Sequence, residues 1–307
     1  MSNILDINGV TKSYPGVRAL DGVNLQVPAD GVFGLVGPNG AGKTTLFSVI
    51  CGFLNPDTGT VQIDGRAVKA GVPPPPRTVS ILPQDARFLP YVPIGPQLRY
   101  YAELSGFSGK EAVKEAQRVL ELVDLANTYN RKAGTLSHGM YKRVGIAQAF
   151  IASPRLIILD EPTAGLDPGV AREIRATLRT IRSNQTVVVS SHNLLEIEDL
   201  CRSVAILHKG KIVEQGRIED LKGVGNEVSF RLPEAPSSGV VSALHGLDNV
   251  ATAVWDVESG RLHITVTGDP ATASGALAAH LAQSGVTFLD MRVGKTLEDR
   301  FLAETSD

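Results

Sequence analysis

Three short runs, Gly31–Val36, Leu156–Leu159 and Thr186–Ser190, are rich in valine, isoleucine and leucine and show no polar alternation. A strand that needs no polar side is buried on both faces, as in the interior of a parallel sheet. Helical segments separate the runs, so the pattern predicts an α/β core with helices on both faces of a mainly parallel sheet. The segments Ile4–Pro15, Ala19–Pro28 and Val61–Gly65 alternate instead, as half-exposed antiparallel strands do, and predict a small β layer beside that sheet. From about Pro93 to Gly134 the period becomes helical, and Ser108 with Glu111 has capping-box spacing at the head of Gly109–Leu125. The expectation is a helical subdomain, about residues 90–150, inserted into the core. Pro73–Pro76 cannot pair in a sheet and reads as a stiff extended loop.

The composition shifts around Leu221–Gly225. Beyond it the apolar segments Glu227–Leu232, Val240–Gly246, Thr252–Val257, Arg261–Thr267, Ala271–Gln283 and Val286–Val293 read as β-α-β-β-α-β, compatible with a small ferredoxin-like domain. The predicted organisation is therefore a domain over residues 1–222 and an α+β domain over 223–307. A length of 307 residues suits two domains. A formal charge of −2 and 43% hydrophobic residues describe a soluble globular protein without the basic face that nucleic acid requires. Cys51 and Cys201 stand far apart without a partner motif, which fits packing roles in a reducing compartment. Met1–Val10 lacks the basic-then-apolar layout of a signal peptide, and no run approaches the ~18 apolar residues of a membrane span. A cytoplasmic chain that forms no pore of its own is expected.

Chemistry enters at Gly37-Pro38-Asn39-Gly40-Ala41-Gly42-Lys43-Thr44-Thr45, which fits G-x-x-x-x-G-K-[ST] between the strand Val32–Val36 and the helix Thr45–Ile50. Glycines let backbone N–H groups wrap phosphates, and the helix N-terminus adds positive potential. Lys43 reaches the terminal phosphates and Thr44 offers a hydroxyl to Mg²⁺. Hydrolysis also needs a carboxylate for the metal and a group to position water. Leu156–Glu161 supplies both: Asp160 closes an apolar strand at the metal shell, and Glu161, one residue on, is placed to polarise water. His192 closes the next apolar strand, again where open-sheet ligands bind, and can contact the γ-phosphate or orient the water.

The ordered set GPNGAGKTT (37–45), ILPQD (81–85), LSHGM (136–140), LIILDEP (156–162), AGLD (164–167) and SSH (190–192) resembles the nucleotide-binding subunits of the ATP-binding cassette family over about residues 3–220. That resemblance implies ATP and Mg²⁺ as cofactors. It implies that Ser137 and Gly139 act on ATP held by a second protomer, with the positive end of a helix over Gly139–Ala152 aimed at the γ-phosphate. Met140, Val144, Ala147 and Ile151 would bury that helix's other side. By the same resemblance Tyr14 stacks on adenine, Gln84 contacts Mg²⁺ and water and links core to helical subdomain, and Asp167 crosses the dimer interface and caps the next helix at Pro168. The chain departs from the commonest signature, LSGGQ, at His138 and Met140, and has Ala164 where serine is frequent.

The function so implied is the ATPase subunit of a transporter, a homodimer in the family's manner, peripheral on the cytoplasmic face of the membrane. It would drive a separately encoded permease docked near Arg87–Tyr91 and the helical insertion. The HGM form of the signature, the additional C-terminal domain and the ending Thr296–Leu302 resemble the multidrug and antibiotic export branch. An importer subunit is the nearest alternative. Cassette ATPases of ribosomes or DNA usually carry two cassettes or a coiled-coil insertion, neither of which is present, and a P-loop kinase leaves LSHGM and Gln84 unexplained.

Overall fold

The computed structural model describes residues 2–72, 74–180, 185–223, 226–257, 259–294, 297 and 301. Pro73, and Thr296–Leu302 apart from Leu297 and Phe301, lie outside the described residues. The chain separates into two compact units, Met1–Arg217 and Ile218–Asp307.

The first unit is built on a six-stranded sheet in the order Lys211–Arg217, Ser203–His208, Gly31–Val36, Thr186–Ser191, Leu156–Asp160, Val79–Leu82. All neighbours are parallel except the first pair. Leu156–Asp160 and Thr186–Ser191 are buried at every position, which is why their sequences tolerate no polar alternation. A second, antiparallel sheet follows the order Val17–Pro28, Asn3–Tyr14, Thr58–Ile63, Arg66–Ala67. Its alternating pattern turns Ile7, Val10, Val23 and Leu25 into the core that also holds Phe33, Leu35, Phe47 and Ile158.

The helices Ile94–Leu104, Gly109–Leu122 and His138–Ala149 form the inserted helical part. Ser108 precedes the second of these, but the expected capping box does not form. The Glu111 N–H is taken by the Ser108 carbonyl at 2.9 Å, so the hydroxyl has no third-position donor to accept from. This helix is instead tied down by Glu115, which is buried, receives two hydrogen bonds from Arg118 at 2.7 and 2.8 Å and accepts the Ala152 N–H at 2.7 Å. The helix expected over Gly139–Ala152 runs His138–Ala149, because Ala152 and Ser153 both take left-handed backbone conformations, φ 65° and 49°, that end it. Its burial is not a single stripe. Val144, Gly145, Ile146, Ala147 and Ala149 are all buried, with Gly145 against Leu82 and Gly139 against Val170.

The second unit begins with the helix Ile218–Gly223. Strands Glu227–Arg231, Val250–Asp256, Arg261–Val266 and Asp290–Val293 alternate with helices Ser238–His245 and Pro270–Gln283. In chain order these are strands one to four, and they lie in space as two-three-one-four, all antiparallel, the ferredoxin-like arrangement. The core joins Phe230, Leu262 and Ile264 to Leu244, Leu277 and Leu281 of the helices. The last strand is shorter than the apolar run Val286–Val293 suggests. Phe288 leaves the ladder to meet Phe230 edge-on, ring centroids 5.2 Å apart. Among the described residues no helix is long and apolar enough to cross a membrane.

Candidate ATP-hydrolysis site

The loop Gly37–Gly42 joins the central strand Gly31–Val36 to the helix Lys43–Ile50. Its glycines answer to space as well as to dihedral angle. A Cβ at Gly37 would fall 2.4 Å from the Leu207 carbonyl oxygen, and one at Gly42, where φ is 108°, would fall 2.5 Å from that of Ala19. Ala41 turns its methyl into the core, so it can offer the loop's interior only backbone. Lys43 is buried and donates to the carbonyls of Gly37 and Pro38 at 2.6 and 3.3 Å.

At the ends of two adjacent strands, Asp160 and Ser190 stand opposite one another in register. The Ser190 hydroxyl donates to Asp160 Oδ1 at 2.6 Å and accepts the Glu161 N–H at 2.9 Å. Burial raises the Asp160 carboxyl above its ordinary value and neighbouring Glu161 adds to this, against the hydrogen bonds of Ser190 and Thr44 and the charge of Lys43. Glu161, also buried, sits at φ 49°, a left-handed conformation that a side chain resists and that persists only where its surroundings enforce it. Its carboxylate lies between two cationic or potentially cationic groups, Lys43 Nζ at 3.6 Å and His192 Nδ1 at 2.9 Å.

Lys43, Asp160 and Glu161 border a cavity of about 440 Å³ together with Pro38, Asn39, Gly40, Gly42, Thr44, Thr45 and Gln84, whereas His192 reaches it only through Glu161. Gln84 also lines a second cavity, of about 490 Å³, bounded by Phe88, His138, Tyr141 and Lys142. Lys142 donates to the Gln84 carbonyl at 2.9 Å, and the Phe88 N–H donates to the Tyr141 hydroxyl at 2.6 Å, so the segment that carries Gln84 is stapled to the helix His138–Ala149.

The remaining expected positions stand apart from the phosphate loop. Tyr14, 45% exposed, ends the strand Asn3–Tyr14 and does not line the cavity. Ser137, Gly139 and Asp167 do not line it either. Ser137 caps the helix His138–Ala149 by accepting the Met140 N–H at 3.3 Å, which leaves its own hydroxyl proton to donate. A Cβ at Gly139 would meet Val170 at 2.7 Å, so this glycine also serves the packing of two helices. Asp167 accepts the Val170 N–H at 3.2 Å at the head of Pro168–Thr180.

Residues 20–164 match the family model of the ABC transporter. The daunorubicin resistance ATP-binding protein of Streptomyces coeruleorubidus is 30% identical, covering 99% of this chain and 96% of its own. The bacitracin transport ATP-binding protein of Bacillus licheniformis is 33% identical over 80% of each chain. The chain belongs to the ABC transporter ATP-binding proteins. Among solved structures, a dimeric ATP-binding cassette in a post-hydrolysis state with ADP and phosphate superposes with a TM-score of 0.62 at 25% identity, over 69% of this chain and 98% of that one. An ABC ATP-binding protein binds and hydrolyses ATP, dimerises and works with membrane permease components.

Within this ABC cassette the donor set fits magnesium. One carboxylate, Asp160, one hydroxyl, Thr44, and one amide, Gln84, border the same cavity, and Mg²⁺ is held by one or two carboxylates together with phosphate oxygens and water. Three polar residues at the site gave no signal in the sequence beyond their place in it. Arg18 and Lys209 line the cavity, and Ser190 joins Asp160 to the Glu161 backbone. Lys209 belongs to the turn after Ser203–His208, which backbone bonds dock on the phosphate loop: the Gly210 N–H donates to the Ala41 carbonyl at 3.0 Å.

Proposed function

We propose that this ABC ATPase powers export of a drug-like or antibiotic-like small molecule through a separately encoded permease on the cytoplasmic face of the membrane. It acts as a homodimer with two composite ATP sites. The phosphate loop Gly37–Thr45 holds the triphosphate, Lys43 meets its terminal phosphates, Tyr14 stacks on adenine, and Thr44, Gln84 and Asp160 hold Mg²⁺. The metal supplies neutralisation of phosphate charge. Glu161 accepts the proton of the attacking water, and His192 orients the carboxylate that does so. Ser137, Gly139 and Asp167 act on the ATP of the facing protomer. Residues 1–222 make up this ATP-binding domain, with its helical subdomain at about 90–150, and 223–307 form an accessory domain.

The observation that carries the composite site is the separation just described. Lys43, Thr44, Asp160 and Glu161 border one cavity, while Ser137 offers a free hydroxyl proton at an exposed helix N-terminus outside it. Export is supported by the resistance and transport proteins to which the chain is similar along most of its length. A mixing experiment tests the pairing. Lys43→Ala and Ser137→Ala are each expected to be inert alone, and their random mixture to regain about a quarter of the wild-type ATPase rate, since half the dimers carry one intact site. A mixture as inert as its parents overturns the composite site. Glu161→Gln is expected to bind ATP normally and to hydrolyse it at least ~100-fold more slowly; hydrolysis at the wild-type rate removes Glu161 from the base role. Direction is read by co-expression with the permease that co-purifies with this chain, where export lowers cellular accumulation of the transported compound and the Lys43→Ala variant abolishes that effect.

A further inference from the structure

Glu196 lies in the first turn of the helix Leu194–Leu200, just beyond His192, and its side chain is 20% exposed. One oxygen, Oε2, accepts from the Thr163 hydroxyl at 2.7 Å and from the Ser191 hydroxyl at 3.4 Å. The other, Oε1, accepts from Arg175 Nη1 at 3.0 Å. The three donors come from three different segments. Thr163 belongs to the turn that starts at Glu161 and leads to Asp167. Ser191 directly precedes His192, and its oxygen also accepts the Asn193 N–H at 2.9 Å, shaping the turn that carries the histidine. Arg175 is on the helix Pro168–Thr180 and is held a second time by Asp199 Oδ2 at 3.1 Å.

This arrangement bears on the conformation of Glu161. A non-glycine residue at φ 49° stays there only if its neighbours over-determine it. Upstream, the Glu161 N–H is fixed by Ser190; downstream, the Glu161 carbonyl accepts the Ala164 N–H at 3.2 Å in the turn whose Thr163 is pinned by Glu196. The direct bond between His192 and Glu161 is therefore paralleled by a second path, from Ser191 through Glu196 to Thr163. Glu196 does not line the ATP cavity.

We propose that Glu196 is a positioning residue for ATP hydrolysis. By gathering Thr163 and Ser191 on one carboxylate oxygen, and by being anchored through Arg175, it sets the placement of Glu161 against His192. The proposal rests on the reading of Glu161 and His192 as the hydrolytic pair, and it touches kcat without touching nucleotide binding. An ångström of misplacement at a reacting group costs up to about 100-fold in rate, so a kinetic effect is expected even though Glu196 contacts no substrate.

The test is steady-state ATPase and nucleotide binding of the full chain with Glu196→Ala, Glu196→Gln, Thr163→Val and the Ala–Val pair. Glu196→Ala is expected to lower kcat about 10- to 100-fold with the dissociation constant for ATP held within about twofold. Glu196→Gln keeps an acceptor for Thr163 and Ser191 and restores the rate to within about threefold of wild type. Thr163→Val, which leaves the Glu196–Arg175 pair intact and adds no bulk, lowers kcat alone and adds nothing to Glu196→Ala, because the Thr163–Glu196 contact is already lost there. A purely structural glutamate would lose binding and melting temperature together and would not be rescued by glutamine; that result overturns the proposal. So does a normal kcat in Glu196→Ala while Glu161→Gln is inert, which leaves the hydrolytic pair standing. A fully active Glu161→Gln removes the pair and the proposal with it.

Discussion

Ser190→Ala removes a single oxygen with no solvent access and two bonds. The hydroxyl donates to the Asp160 carboxylate at 2.6 Å, a charge-assisted contact worth about 1.5–3 kcal/mol, and accepts the Glu161 N–H, whose loss leaves a buried donor unmet at about 1–3 kcal/mol. The two terms share one atom and are not additive, so a net loss of about 3 kcal/mol is expected. For a unit spanning Met1–Arg217 this lowers the melting temperature by about 6–12 °C. The same change removes one of the contacts that hold the Asp160 carboxyl down against burial, so it rises further. Differential scanning calorimetry of the full chain reads the effect on the transition of the ATP-binding unit. Thr180→Ala serves as the control, since its hydroxyl caps only the exposed Thr177 carbonyl and should move stability by no more than about 0.5 kcal/mol. A shift below about 1 °C for Ser190→Ala, or one equal to the control, would show that the hydroxyl does not hold the two acidic residues as described.

Gly37→Ala puts a methyl 2.4 Å from the backbone oxygen of Leu207, which cannot swing aside as a side chain would. ATP affinity is expected to fall at least ~10-fold with a stability loss of about 1–3 kcal/mol, measured by fluorescent-nucleotide titration and thermal melting. Burial works to raise the Glu115 carboxyl, but the hydrogen bonds from Arg118 and from the Ala152 N–H, with the Arg118 charge, outweigh it and the net shift is downward. Its stabilising contribution is therefore complete above the ordinary value of 4.5 and is lost as pH falls through the lowered one. Because Arg118 is 43% exposed, Glu115→Gln is expected to cost only about 1–2 kcal/mol at neutral pH, and the gap to wild type should close in urea melts taken progressively below pH 4.5.

What could be read from the sequence is what the backbone must do. The loop Gly37–Gly42 demands glycine at a fixed spacing because Leu207 and Ala19 crowd its inner side, and the strand positions Leu156–Leu159 demand apolar residues because both faces are covered. Neither requirement has another solution, so the residue string reports it. Arg18 and Lys209 reach the cavity beside the phosphate loop by a different route. The Asp21 N–H donates to the Gly210 carbonyl at 2.8 Å and the Gly210 N–H to Ala41, and these backbone bonds would form with almost any residues in the turn. The expected cap at Ser108 failed for a related reason: a carbonyl already occupied the Glu111 N–H.

The pair Ser190–Ser191 shows where the boundary falls. Two identical side chains stand side by side before His192, and nothing in their identity separates them. Successive residues of a strand face opposite ways, so one hydroxyl is delivered to Asp160 and the other to Glu196. The decision is made by register. Asp160 pairs with Ser190 because Leu156 pairs with Thr186, and that alignment runs through three buried apolar pairs, Ile157–Val187, Ile158–Val188 and Leu159–Val189. A slip of one residue that set Val189 opposite Asp160 would turn Ser190 to the other face, leaving Asp160 without its donor and the Glu161 N–H without its acceptor. The placement of Asp160 and Glu161 at the strand ends is therefore fixed by hydrophobic packing along the strands, away from the proposed reacting groups.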